Sequence, residues 1–209
     1  MEIQPHELVS FGDRYEFPER EVRPGQTATL TALPGPPLRL AFGMLALADP
    51  WWPEGAPTHP LIGLGKSEHP TGLSTIGILR AGRADPATVP CAASIGQVDR
   101  VATWRPLVQD EAHFHLQVDS GLGAFYDITD AAALLPSFQD DHHMKQIFDR
   151  TLAEQAITME AGNRVAAVVF ECPDGPGLYP VYAGYDKDGQ AVAVLVDLLI
   201  LNGAEQRVD

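Results

Sequence analysis

The chain has 209 residues, a formal net charge of −14, 45% hydrophobic residues and two cysteines. That length suits one large domain, taken as 1–209, which buries roughly 70% of its unfolded surface and needs neither disulfides nor a metal to fold. The acidity argues against a nucleic-acid backbone or an anionic membrane as partner, because both repel it.

The opening residues, MEIQPHELVSFGD, have no basic start, no apolar segment and no small-residue cleavage site, so no signal peptide is expected. The longest apolar run, 191–201, is interrupted by Asp197 and falls far short of the ~20 residues that a membrane helix needs. Cys91 and Cys172 lack C-x-x-C or framework spacing, as in a reducing compartment, and the expected location is the cytoplasm.

The 19 glycines and 18 prolines suit strands joined by many turns better than a helical protein. In chain order the segments 27–33, 38–47, 73–79, 89–95, 98–104, 113–119, 124–127, 165–171, 179–185 and 191–201 read as strands. Each is short, apolar or β-branched, and bounded by Gly, Pro, Asp or Asn. Between them, 49–72 has no periodic pattern and carries five prolines. Trp51 and Trp52 within it predict an ordered flap over one end of a sheet, not disorder.

The spacing of Met144, Ile147, Phe148, Thr151, Leu152, Gln155 and Met159 predicts one long helix over 140–161, with Asp140 and Asp141 at its start and Gly162-Asn163 as its stop. A shorter helix is predicted over 129–135, capped by Thr129 and ended by Pro136. Asp188-Gly189 between two apolar runs predicts a tight hairpin with both turn residues at positive φ, pairing Val181, Ala183 and Tyr185 with Val196, Val194 and Val192. The predicted fold class is β-rich α+β: a strongly bent, mainly antiparallel sheet or partly open barrel, with the long helix packed on it.

Three segments carry candidate chemistry. In 113–119 the side chains of Phe114, Leu116 and Val118 point into a core, while His113, His115, Gln117 and Asp119 share the other face about 6.5–7 Å apart. His113 and His115 at that spacing can share a divalent metal with Asp119; no other cofactor is expected. The polar face of a half-buried strand explains the same row. Asp119-Ser120-Gly121-Leu122-Gly123 then forms either a plain turn or an anion-binding nest at Gly121 and Gly123. Asp197, inside an apolar strand and diagonal to Tyr182, is either a structural carboxylate or a general acid or base with a raised pKa. A pocket is expected where the Trp51-Trp52 flap meets the ends of the Asp119 and Asp197 strands, with Tyr179 among its ligand-binding residues.

The segment VDSGLGAF (118–125), the hairpin YPVYAGYDKDG (179–189) and the early Asp49-Pro50 together resemble a bacterial family, domain of unknown function forty-two forty-one. The resemblance touches the front, middle and end of the chain. It implies a single β-rich domain and no activity or catalytic residue. Leu198 stands where that family shows an aromatic residue after the last strand's Asp.

Two functional classes follow. One is a binding module, immunity-like or accessory, that takes a small molecule or a basic protein partner. The other is a small-molecule hydrolase, lyase or isomerase using Asp119 with His113 and His115, and with Asp197 or Tyr182.

Overall fold

The structure, a computed structural model, describes residues 4–9, 14–16, 27–51, 62–78, 87–109, 111–203 and 206–208. In chain order the elements are β1 (Arg14–Glu16), β2 (Thr27–Arg39), β3 (Met44–Ala48), β4 (Ile62–Gly63), β5 (Glu68–Ile78), β6 (Ala87–Gly96), β7 (Thr103–Pro106), β8 (Val108–Gln109), β9 (Ala112–His113), β10 (His115–Val118) and β11 (Leu122–Asp127). Helices α1 (Ala131–Gln139) and α2 (Asp141–Glu154) follow, then β12 (Ala156–Ala161), β13 (Arg164–Glu171), β14 (Gly177–Tyr185), β15 (Ala191–Asp197) and β16 (Gln206–Val208).

The fold is β-rich α+β with antiparallel sheets that do not close into a barrel. The strands divide between two main sheets. The larger runs β10-β14-β15-β6-β5-β2-β1-β16, with β7 pairing β14 past the end of β10; the smaller runs β12-β13-β11-β3-β4. β8 and β9 form a separate hairpin.

Side-chain alternation assigns the layers. Val194 and Val196 of β15 point into the core between the sheets, where they meet Leu47, Phe125 and Phe170 of the smaller sheet. Leu195 points the other way, into a cluster closed by Leu8 and Leu201 near the two chain ends. In the smaller sheet Phe125 faces the shared core, while Leu122, Ala124 and Tyr126 face Leu134 of α1 and Met144 and Ile147 of α2. Central strands are therefore covered on both faces. This is why β11 and β15 read as unbroken apolar runs, with no polar alternation.

Several predicted boundaries move. The long helix starts as read, with Asp140 accepting the His143 N–H at 2.8 Å, but ends at Glu154, where Gln155 takes φ 67°. Residues 156–161 are instead β12, and Gly162-Asn163 is the two-residue turn that joins it to β13. Only the glycine has positive φ, 64°, as a II′ hairpin requires. The predicted strand 38–47 is two strands around a turn at 40–43, because Gly43 at φ 76° breaks it. The predicted strand 98–104 is a 3₁₀ turn followed by β7. The shorter helix is not stopped by Pro136: Asp127, not Thr129, caps the preceding 3₁₀ turn, and α1 runs on to Gln139.

Of the flap expected over 49–72, positions 52–61, with Trp52, lie outside the described residues. Its last part is strand: β4, then β5 from Glu68 onward. The 178–201 hairpin pairs Val181 with Val196 and Ala183 with Val194 as read, but a bulge brings Tyr185 opposite Ala191. Its loop is longer than a two-residue turn. Asp186 N–H donates to Gln190 O, Gly189 N–H donates to Asp186 O, and Gly189 alone has positive φ. This is the three-residue hairpin loop ending in a left-handed glycine.

Candidate functional site

Four strands run out onto a buried aspartate, and each uses its carboxylate in the same way. Asp49 after β3, Asp127 ending β11, Asp186 after β14 and Asp197 ending β15 accept the N–H two residues on. The donors are Trp51 at 2.8 Å, Thr129 at 2.9 Å, Asp188 at 2.9 Å and Leu199 at 2.8 Å. A chain leaving a sheet loses its ladder partners, and an Asx turn supplies an acceptor where water does not reach.

Asp49 does more. Its other oxygen accepts the Asp119 N–H at 2.5 Å and the Ser120 N–H at 2.7 Å, while the Ser120 hydroxyl donates at 2.6 Å to the oxygen that also accepts from Trp51. One carboxylate thus ties the β3 exit to the β10–β11 turn. Asp127 also accepts the Ala41 N–H and the Thr129 hydroxyl. At Asp186 the Gln190 and Asp188 amides, with the Arg100 guanidinium at 3.0 Å, hold the carboxyl below the usual range.

The predicted site residues fall in different places. Asp119 is exposed on the turn, and its backbone N–H, not its side chain, is engaged by Asp49. It lies one residue past the Val118–Gly177 pair, while Asp197 lies one residue past the Val196–Val181 pair. Four residues of β14 and two inter-strand steps separate them, roughly 16 Å, so the two carboxylates are not brought together.

Gly121 has φ 82°, as the turn demands. Gly123 is a packing glycine: a Cβ there would sit 2.4 Å from the Phe170 ring. Tyr179 is buried in the core between the sheets and donates its hydroxyl to Gly175 O at 2.7 Å. Trp51 is exposed beside Asp49.

Three predicted residues do converge. The rings of His113 and His115 lie 4.7 Å apart, and Tyr182 meets His113 edge-on at 5.6 Å. By register His115, Pro180, Tyr182 and Asp197 share the outer face of the larger sheet. His113 Nε2 is 3.3 Å from Val181 O and His115 Nδ1 is 3.1 Å from His113 O, so backbone carbonyls already engage both rings. Among the described residues no three His, Cys, Asp or Glu side chains are grouped to hold a metal ion. The thiols of Cys91 and Cys172 are pushed far up by burial, with Asp197 and Asp49 adding to it respectively, and so stay protonated and unreactive.

A cleft of about 270 Å³ opens elsewhere, where the two sheets separate near the end of α2. Its inner wall is apolar: Leu73, Ala93, Phe125, Val168 and Phe170. Polar groups ring it: Thr71, Ser94 and Thr158 from strands, with Arg150 and Glu154 from the last turns of α2. The opening has a local cause. The register of β2 against β5 shifts between Gly35 and Leu38; Pro36 lies within that shift and Pro34 just before it, and both line the cleft. None of the sequence-predicted site residues among the described residues lines it. Arg150 and Glu154 carried a weak signal, an i,i+4 pair on the helix's polar face, which reads as solvent-facing without the sheet edge beside it.

The family profile described as "Protein of unknown function (DUF4241)" matches residues 39–196. The chain belongs to the DUF4241 family. No curated protein and no solved structure matches it. The DUF4241 match runs from the end of β2 through Val196, so it includes the Asp49 clasp and most of the cleft wall. No helix among the described residues is long and apolar enough to cross a membrane.

Proposed function

We propose that the protein is a small-ligand binding module, with the cleft between β2, β12 and the end of α2 as its site. The observation that carries this reading is the contrast between the cleft and the buried carboxylates. Asp49, Asp127, Asp186 and Asp197 each accept at least one main-chain N–H at a strand exit, the role of a turn cap and not of a general base. The cleft, by contrast, has an apolar wall and a polar rim, the usual make-up of a ligand site. Its volume lies just under the roughly 300–1,000 Å³ of sites for drug-sized molecules, which suits a smaller compound.

The test is a thermal-shift screen of small metabolites on the full chain, run beside Thr158→Trp, whose indole fills the cleft. A ligand at about 100 times its Kd stabilises by about 2.7 kcal/mol. Hits that shift the wild type and leave Thr158→Trp unmoved support the cleft; hits that shift both equally place the site elsewhere.

One observation favours an enzyme instead: the grouping of His113, His115 and Tyr182 on the face that carries Asp197. Elemental analysis of purified protein tests it. Stoichiometric zinc or iron that disappears in His113→Ala/His115→Ala would put that face first.

A further inference from the structure

Among the described residues the cleft's rim carries one positive and one negative group, and the ligand class follows from both. Arg150 Nε donates to Glu154 Oε1 at 3.2 Å, with the two side chains 57% and 52% exposed. An ion pair this exposed is worth only ~0–1 kcal/mol and opens readily. A ligand with a single charge would engage one partner and leave the other without its ion-pair partner. A ligand with both charges exchanges the pair completely: its carboxylate takes the planar guanidinium fork, and its ammonium takes the Glu154 carboxylate.

Two hydroxyls of the ring of polar groups add acceptors. Thr71 Oγ1 donates to Pro36 O at 2.7 Å and Ser94 Oγ to Gly72 O at 3.4 Å. Each hydroxyl has its proton placed and keeps lone pairs that can accept from an ammonium. The apolar part of the lining includes Phe125 and Phe170, tilted at 42° with their ring centroids 5.0 Å apart. On the reading of the cleft as the ligand site, we infer that it takes a zwitterion with a short apolar tail, a free α-amino acid with an aliphatic or aromatic side chain.

The test is calorimetric titration of the full chain with L-leucine and L-phenylalanine. Two analogues of leucine each lack one charge: L-leucinamide has no carboxylate and N-acetyl-L-leucine no ammonium. The expected result is that leucine binds at least ten-fold more tightly than either analogue. Arg150→Gln should bring leucine down to the level of leucinamide and leave leucinamide unchanged. Glu154→Gln should bring it down to the level of N-acetyl-leucine. Both substitutions lie on an exposed helix face, so the fold is kept.

Analogues that bind as tightly as leucine, and are still blocked by Thr158→Trp, would overturn the zwitterion and leave the cleft standing. No saturable binding by any of these compounds would likewise overturn the amino-acid class, while the wider metabolite screen decides the cleft independently.

Discussion

Asp49 and Asp119 have the same side chain and opposite environments, and stability measurements should separate them sharply. The Asp49 carboxylate is 4% exposed and accepts three main-chain N–H groups and one hydroxyl. Asp49→Ala leaves those donors without an acceptor, and the expected loss is about 2–4 kcal/mol in urea unfolding. Asp119→Ala removes an exposed side chain and should stay within about 0.5 kcal/mol of wild type. The reverse ranking would mean that the turn is held by Asp119. Asp186 adds a pH test. Its folded carboxyl is held below the unfolded value of ~3.9, so its stabilisation is full above that value and is lost as pH falls through the folded pKa. Melting curves of wild type and Asp186→Asn should therefore draw together as pH falls below the unfolded carboxyl value, and continue to do so down through the folded pKa. Asp140, held down by the His143 amide, works in the same sense in both proteins, whereas Asp130, raised by burial against the pull of Arg164, works in the opposite sense. A gap between the curves that stays constant to pH 3 counts against the Asp186 assignment.

At the level of elements, turn chemistry was legible wherever a glycine had one possible job and misleading where it had two. Gly162-Asn163 reads as a helix stop because Met144, Ile147 and Thr151 establish a helical period that the spacing of Gln155 and Met159 extends. The same residues from Ala156 onward also alternate, and Ile157 is buried toward the helices. Pairing of β12 along β13 decides the matter, a long-range gain that no local pattern contains. Gly162→Ala isolates the turn, since no atom lies within 4 Å of a Cβ placed there and the penalty is purely that of φ 64°. It should cost about 1 kcal/mol. Gly123→Ala is the contrasting case, where the obstacle is the Phe170 ring and not the backbone angle. Overpacking there should cost about 1–3 kcal/mol, visible as a lower urea midpoint at unchanged slope. Equal, small effects at both glycines would mean that Phe170 moves aside freely.

For the whole molecule, the short apolar segments at 124–127, 165–171 and 191–201 made strands legible, and hence a β-rich α+β fold, but not its division into two sheets covered on both faces. They could not reveal the partners. β6 lies beside β15 and β3 beside β11, pairings that join distant parts of the chain and depend on which surfaces bury together. The cleft was illegible for the same reason, because its wall is assembled from β2, β5, β6, β11, α2, β12 and β13. Charge, by contrast, is a property of the whole chain that the sequence states outright, and −14 predicts how the molecule answers salt. Like charges on a folded surface repel, and raising ionic strength from 0.01 to 0.15 M shortens the screening length from about 30 to about 8 Å. The exposed pairs Lys145–Asp149 and Arg150–Glu154 weaken over the same range, but each is worth at most ~1 kcal/mol. Repulsion is therefore the larger effect, and Tm should rise by a few degrees, about 1 kcal/mol or more at roughly 2–4 °C per kcal/mol. A Tm that falls with salt would show that local pairing outweighs the net charge. A basic protein partner would respond in the opposite direction, its complex weakening as the free protein gains stability, so one salt series separates folding from recognition.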